Sequence, residues 1–218
     1  MTLDDALNAL TAHADAARAG DLETRFGNRS DGGTYLGVAP QDLENLARQW
    51  RQDVSFPERL DLARALWAEP VFEARLMAAK LLTQARIADD TAVWDQICTW
   101  ISEADTWAEL DALTGAGARR ISVDLSRMGV VHDLAKSERA LDRRAALGLS
   151  LPLAKLAHPT EDEVNAIDDV LYWLTYALQD PDKDVSRMAD SWLKSLGKHD
   201  RKRAGMVRRV VQSRTKSD

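Results

Sequence analysis

Apolar residues recur at helical spacing along most of the chain, and prolines and glycines stand between the periodic segments. Leu43, Leu46, Ala47 and Trp50 fall at i, i+3, i+4 and i+7 behind Pro40, whose fixed φ suits a first helical turn. A second helix is predicted from Pro57 through Leu60, Ala63 and Trp67. A third follows Pro70 and carries Val71, Ala74, Ala78, Leu81 and Leu82. Thr160 with Glu163 forms a capping box that opens a helix running to about Leu178, where Asp180 and Pro181 stop it. Gly27, Gly32, Gly33 and Gly37 mark one loop and Gly115 with Gly117 a second, while Pro152 ends or kinks the helix containing Arg143 and Arg144. Strand signals are nearly absent, so the chain reads as all-α.

Three segments share an arginine followed by small and aliphatic residues: those beginning at Arg75, Arg144 and Arg187. Their separations are 69 and 43 residues, which suggests a unit of about 35 to 43, in or just below the period of HEAT-type helix pairs. The expected architecture is a HEAT-like α-solenoid of antiparallel helix pairs with a concave face for a long partner. It would form one domain over 1–218, with an N-terminal helix and loop at 1–33, core repeats at 34–200 and a basic helix or tail at 201–218. Any helical bundle shows a similar pattern, so the solenoid is preferred rather than required.

A hydrophobic fraction of 45% with 29% charged residues is that of an ordinary globular protein. No stretch approaches the roughly 18 apolar residues that a membrane span needs. The acidic start, with Asp4, Asp5 and Asp15, does not resemble a secretory leader. A single cysteine, Cys98, excludes an internal disulfide and a thiolate cluster. These features predict a cytoplasmic protein.

The net charge of −6 is unevenly spread. From Val185 to Asp218, ten Lys or Arg stand against three Asp, so this end carries +7 and the remainder −13. Local potential governs binding more than the total does, so an anionic partner near the basic end is expected beside the simpler reading of a solvated tail.

Common catalytic constellations are missing. There is no phosphate-cradling Gly-rich loop and no Gly-x-Ser-x-Gly elbow. The histidines at 13, 132, 158 and 199 lack metal-ligand spacing, and the Asn28 to Gly33 segment departs from a calcium loop in ligand spacing and in its final residue. No metal or cofactor is expected. Asp89, Asp90 and Glu161 through Glu163 sit where helices start and offset the helix dipole. What remains is Trp107 four residues before Asp111, on one helical face; alone, such a pair is more often core plus cap.

The run Tyr35-Leu-Gly-Val-Ala-Pro-Gln-Asp-Leu, the Glu73-Ala-Arg-Leu-Met-Ala-Ala run, Trp107-x-x-x-Asp111, Arg144-Ala-Ala-Leu and the helix around Ser191-Trp192-Leu193 are similar in order and spacing to AlkD-like DNA alkylation repair proteins. The resemblance covers nearly the whole chain. It implies a HEAT-like glycosylase that hydrolyses the N-glycosidic bond of N3- and N7-alkylpurines in duplex DNA without a conventional base-flipping pocket. It assigns the essential aspartate to Asp111, the paired lesion-site tryptophans to Trp107 and Trp192, and the phosphate-contacting arginine to Arg144. Ala108 follows the tryptophan where the family often has an acidic residue, and Leu134 and Leu141 stand where tryptophans are usual.

The residue types suit that chemistry. A cationic alkylpurine is already a good leaving group, and bond breakage moves positive charge onto the deoxyribose, as in sugar hydrolysis. A carboxylate can stabilise that charge and orient water. Indole faces favour a cationic base by roughly 0.5 to 2 kcal/mol each. Arg143 and Arg144, with Lys194, Lys198, Arg201, Lys202, Arg203, Arg208 and Arg209, would form the backbone footprint on a monomer that needs no protein partner. The competing expectations are a catalytically silent DNA-binding solenoid and a protein-interaction scaffold.

Overall fold

The computed structural model describes residues 1–215, without the Thr215 side chain; residues 216–218 of the basic C-terminal segment lie outside the described residues. The regular structure among the described residues is helical, apart from an isolated bridge between Thr34 and Val71. Contacts divide the described residues into two compact units that meet between Ala116 and Gly117 in the sequence.

The first unit contains α1 (Leu3–Thr11), α2 (Ala16–Phe26), α3 (Pro40–Asp53), α4 (Phe56–Ala68), α5 (Phe72–Leu81), α6 (Thr91–Glu103) and the start of α7 (Trp107–Ile121). Pro40 opens α3 as expected, and Pro57 lies in the first turn of α4. Val71 and Leu82 cap α5 rather than belonging to it. The segment 1–33 holds two helices where the sequence suggested one. Helix α5 packs against α1, α3 and α4. Its Ala74, Ala78 and Ala79 are fully buried, the small side chains that allow close helix approach.

Gly115 and Gly117 were expected in a loop, yet both lie inside α7. Each glycine costs a helix about 1 kcal/mol relative to alanine. Leu110, Leu113 and Ala116, all fully buried at helical spacing, provide the burial that outweighs it.

The second unit holds the end of α7, then α8 (Met128–Ala135), α9 (Ala140–Ser150), α10 (Glu161–Ala177), α11 (Lys183–His199) and α12 (Arg201–Thr215). Pro152 follows α9 and is succeeded by a single 3-10 turn, and the Thr160–Glu163 capping box opens α10 as read from the sequence. Helix α9 packs on α8 and α11, while α10 touches α8, α11 and α12.

Gly37 carries a requirement on the fold of the first unit. Its φ is +76°, and a Cβ there would collide with the Asp15 carbonyl oxygen and the Ala19 nitrogen. Gly20, inside α2, has no atom within 4 Å of such a Cβ. Gly37→Ala is therefore expected to destabilise the protein by roughly 1–3 kcal/mol or more, and Gly20→Ala to stabilise it by about 0.5–1 kcal/mol. Chemical denaturation of the two variants beside the wild type checks both signs.

Candidate active site

The start of α7 is set by a capping box that is present in the sequence as Thr106-x-x-Glu109 and was not among the expected signals. The Glu109 carboxylate accepts from the Thr106 and Asp105 backbone N–H groups at 3.0 and 2.9 Å, and the Thr106 hydroxyl accepts from the Glu109 N–H at 3.2 Å. Trp107 is consequently the first residue of the helix, with Asp111 one turn further on. The pair shares a face, as expected.

Glu109 is fully buried, and so is the Arg29 side chain that pairs with it at 2.9 Å. Arg29 also forks onto Asp31 through Nε and Nη2, at 3.0 and 2.9 Å. Arg75 reaches Asp31 at 2.8 Å, and Asp105 stands within 4 Å of both arginines. The Asn28 to Gly33 segment, whose ligand spacing departs from a calcium loop, is thus part of an arginine-centred clamp. The fork from Arg29, aided by the Gly33 N–H and the Arg75 charge, holds the Asp31 carboxyl down to about 2 despite partial burial. Burial alone would lower the Arg29 pKa, but Asp31 and Glu109 raise it above its ordinary value.

An aromatic cluster fixes the Trp107 ring. Phe26 lies 5.3 Å from it between centroids and also contacts Phe72 and Tyr35 at 5.5 and 6.5 Å. Tyr35 donates its hydroxyl to the Gly27 carbonyl at 3.1 Å. Glu73 is buried and accepts from the Leu36 and Gly37 N–H groups at 2.9 and 2.7 Å, which anchors the loop against α5. The Tyr35 and Glu73 segments named in the sequence therefore support the cluster around Trp107.

Trp107 and Asp111 together border a pocket of about 360 Å³, along with Arg25, Phe26, Phe72 and Lys80. Asp111 is exposed and Trp107 half-buried. The Arg25 guanidinium lies 4.5 Å from the Trp107 ring centroid, so the indole already holds a flat, delocalised cation. Arg25 and Phe26 were missed from the sequence because the loop 27–39 separates them from α3, and only tertiary folding returns α2 to α7.

The remaining expected site residues belong to the second unit, and several have other roles. Trp192 is fully buried, with its indole N–H donating to the Ser150 hydroxyl at 3.2 Å. It is a core residue of α11 rather than a surface for a base, because its amphipathic helix turns that position inward. Arg143 is likewise engaged within the unit. It donates to both Asp180 carboxylate oxygens at 2.7 and 2.9 Å and to the Ser137 and Glu138 carbonyls, which occupies its donors in joining α9 to the end of α10. Arg203 is bound by Asp168 and Asp200, at 2.8 and 2.9 Å, so its charge is locally cancelled.

Arg144 is half-buried and donates to the Asp184 carbonyl at 3.0 Å. Lys194 makes an exposed pair with Asp190 at 2.5 Å, the kind of surface bridge that contributes at most about 1 kcal/mol and opens easily. Lys198, Arg201, Lys202, Arg208 and Arg209 are exposed on α11 and α12.

The Asp31 shift gives a pH signature. A depressed carboxyl contributes stability that is present above its unfolded value near 3.8 and lost as pH falls towards 2. Urea unfolding should therefore weaken by about 2 kcal/mol across that window in the wild type. Asp31→Asn should lose a similar amount at pH 6 and show a flatter acid limb.

Among the described residues, no helix is long and apolar enough to cross a membrane, and no group of His, Cys, Asp or Glu is arranged to hold a metal ion. No curated protein and no solved structure matches the chain significantly. The profile of the DNA alkylation repair enzyme family matches residues 6–206, nearly the whole sequence, so the chain belongs to that family and has a role in DNA repair.

Proposed function

We propose that the chain is a DNA glycosylase that hydrolyses the N-glycosidic bond of cationic N3- and N7-alkylpurines in duplex DNA, acting as a HEAT-like solenoid. The observation that carries this reading is the Trp107–Asp111 pair at one pocket, with a guanidinium stacked on the indole. A surface that holds one planar cation suits another, and an alkylated purine is a planar cation.

When the C1′–N9 bond breaks, its electron pair leaves with the purine and neutralises it, while positive charge develops on the deoxyribose. Asp111 would stabilise that charge and orient the water that adds to C1′, whose proton passes to the carboxylate or to solvent. The lesion would replace Arg25 on Trp107, one cation for another, because two cations cannot share the face without repulsion. Arg144, Lys194, Lys198, Arg201, Lys202, Arg208 and Arg209 would hold the phosphate backbone without reading sequence.

A silent DNA-binding solenoid is the second reading. It is favoured by the burial of Trp192 and by Leu134 and Leu141, which leave Trp107 as the indole available to a lesion among the positions expected to supply one.

Release of free 7-methylguanine from alkylated duplex DNA tests the proposal. The wild type should release it, Asp111→Asn should lower the rate at least about 100-fold, and duplex binding should persist in the variant. Binding without release by the wild type would establish the silent reading instead. Arg25→Ala should raise kcat/KM for release by about 2- to 30-fold, since the lesion no longer displaces a competing cation. A fall in that variant would show that Arg25 grips DNA.

A further inference from the structure

The second unit holds an open groove of about 900 Å³ that the proposed lesion chemistry does not use. One wall is the end of α8, with His132 and Lys136, and the other is the last turns of α10, with Tyr172, Trp173 and Tyr176.

Its aromatic residues are unusually placed. Tyr172 and Tyr176, one helical turn apart, are 71% and 54% exposed, although rings of this size usually bury most of their surface. They meet edge to face at 5.9 Å. His132 and Trp173 line the same groove, and their Nε2 and Nε1 atoms are shielded from solvent and without a hydrogen-bond partner. A buried ring nitrogen left unpaired is costly, so two on facing helices suit a ligand whose polar edge completes them.

The charges around the groove balance. Lys136 and Arg143 stand against Glu138, Asp169 and Asp180, and Arg214 adds a further cation, 4.2 Å above the Tyr176 ring. Arg143 and Asp180 already neutralise one another. A near-neutral groove with exposed rings and unmet polar points selects a flat heterocycle over a bare anion or a simple cation.

From these features we infer that the groove binds a planar heterocycle of the nucleobase class, stacked on Tyr172 with the Tyr176 ring against its edge, and hydrogen-bonded by Trp173 and His132. The base can come from an unpaired stretch of a nucleic-acid strand or from a free nucleoside. Tyr172 also borders an adjoining pocket in which Asp168 and Asp200 neutralise Arg203 and Lys202 is left as an exposed cation, the point where a strand would place its neighbouring phosphate.

Calorimetric titration of the intact protein with adenosine, with a four-nucleotide oligodeoxyadenylate and with its abasic counterpart tests this without requiring base release. Adenosine and oligodeoxyadenylate should bind saturably, and the abasic strand, left with backbone contacts alone, should bind at least about 5-fold more weakly than oligodeoxyadenylate. Tyr172→Ala and Tyr176→Ala should each weaken binding by about 5- to 100-fold, while Tyr172→Phe should retain it. Both tyrosines are exposed, so unchanged thermal melting will show that the variants fold. Lys202→Ala should weaken the oligonucleotide alone if the source is a strand, and neither ligand if it is a nucleoside. No saturable binding by the wild type, or binding indifferent to loss of both tyrosine rings, would overturn the inference.

Discussion

The Glu109 carboxylate meets Arg29 where neither is reached by solvent, and the local order of the first unit follows from that contact. Two charges out of water are costly unless they pair closely and fill their remaining hydrogen-bond positions. Glu109 does so with the first amides of α7, and Arg29 does so with Asp31. One ion pair therefore ties the loop after α2 to the origin of α7. Trp107 and Asp111 inherit their positions from that origin. The Phe26, Tyr35 and Phe72 rings then fix the indole, and Glu73 holds the backbone from which Tyr35 projects.

The second unit uses like residues for unlike ends. Arg143 and Arg203 are bound by carboxylates, while Lys198, Arg201, Lys202, Arg208 and Arg209 meet solvent. Counting basic residues thus overstates the positive potential that this end presents. The aromatic residues make the same point in reverse. Trp192, which the resemblance places at the lesion, fills the core beside Ser150, whereas Tyr172 and Tyr176 stand exposed on α10. An amphipathic helix turns one stripe inward, and the stripe of α11 includes Trp192 along with Val185, Ala189 and Leu196.

Helix positions were largely legible in the sequence because their causes are local. The 3.6-residue period, Pro40 at a first turn and the Thr160–Glu163 box each act within a few residues. The exception, Gly115 and Gly117 within α7, fails for a stated reason: buried Leu110, Leu113 and Ala116 outweigh a local preference that would end the helix. In the site, the Trp107–Asp111 face was legible as a spacing, and Thr106-x-x-Glu109 could have been read the same way.

Sequence by itself determined the all-helical class, most helix starts, the pairing of Trp107 with Asp111 and, through the family pattern, the role in DNA repair. Tertiary structure alone decided that Arg25 lies on Trp107, that Arg29 is the buried partner of Glu109, that Arg143 and Arg203 are already paired and that Trp192 is core. The physical reason is range. Caps and periodicity act over three or four residues, whereas burial and ion pairing join groups such as Arg29 and Glu109, 80 residues apart, and depend on which surfaces the fold removes from water.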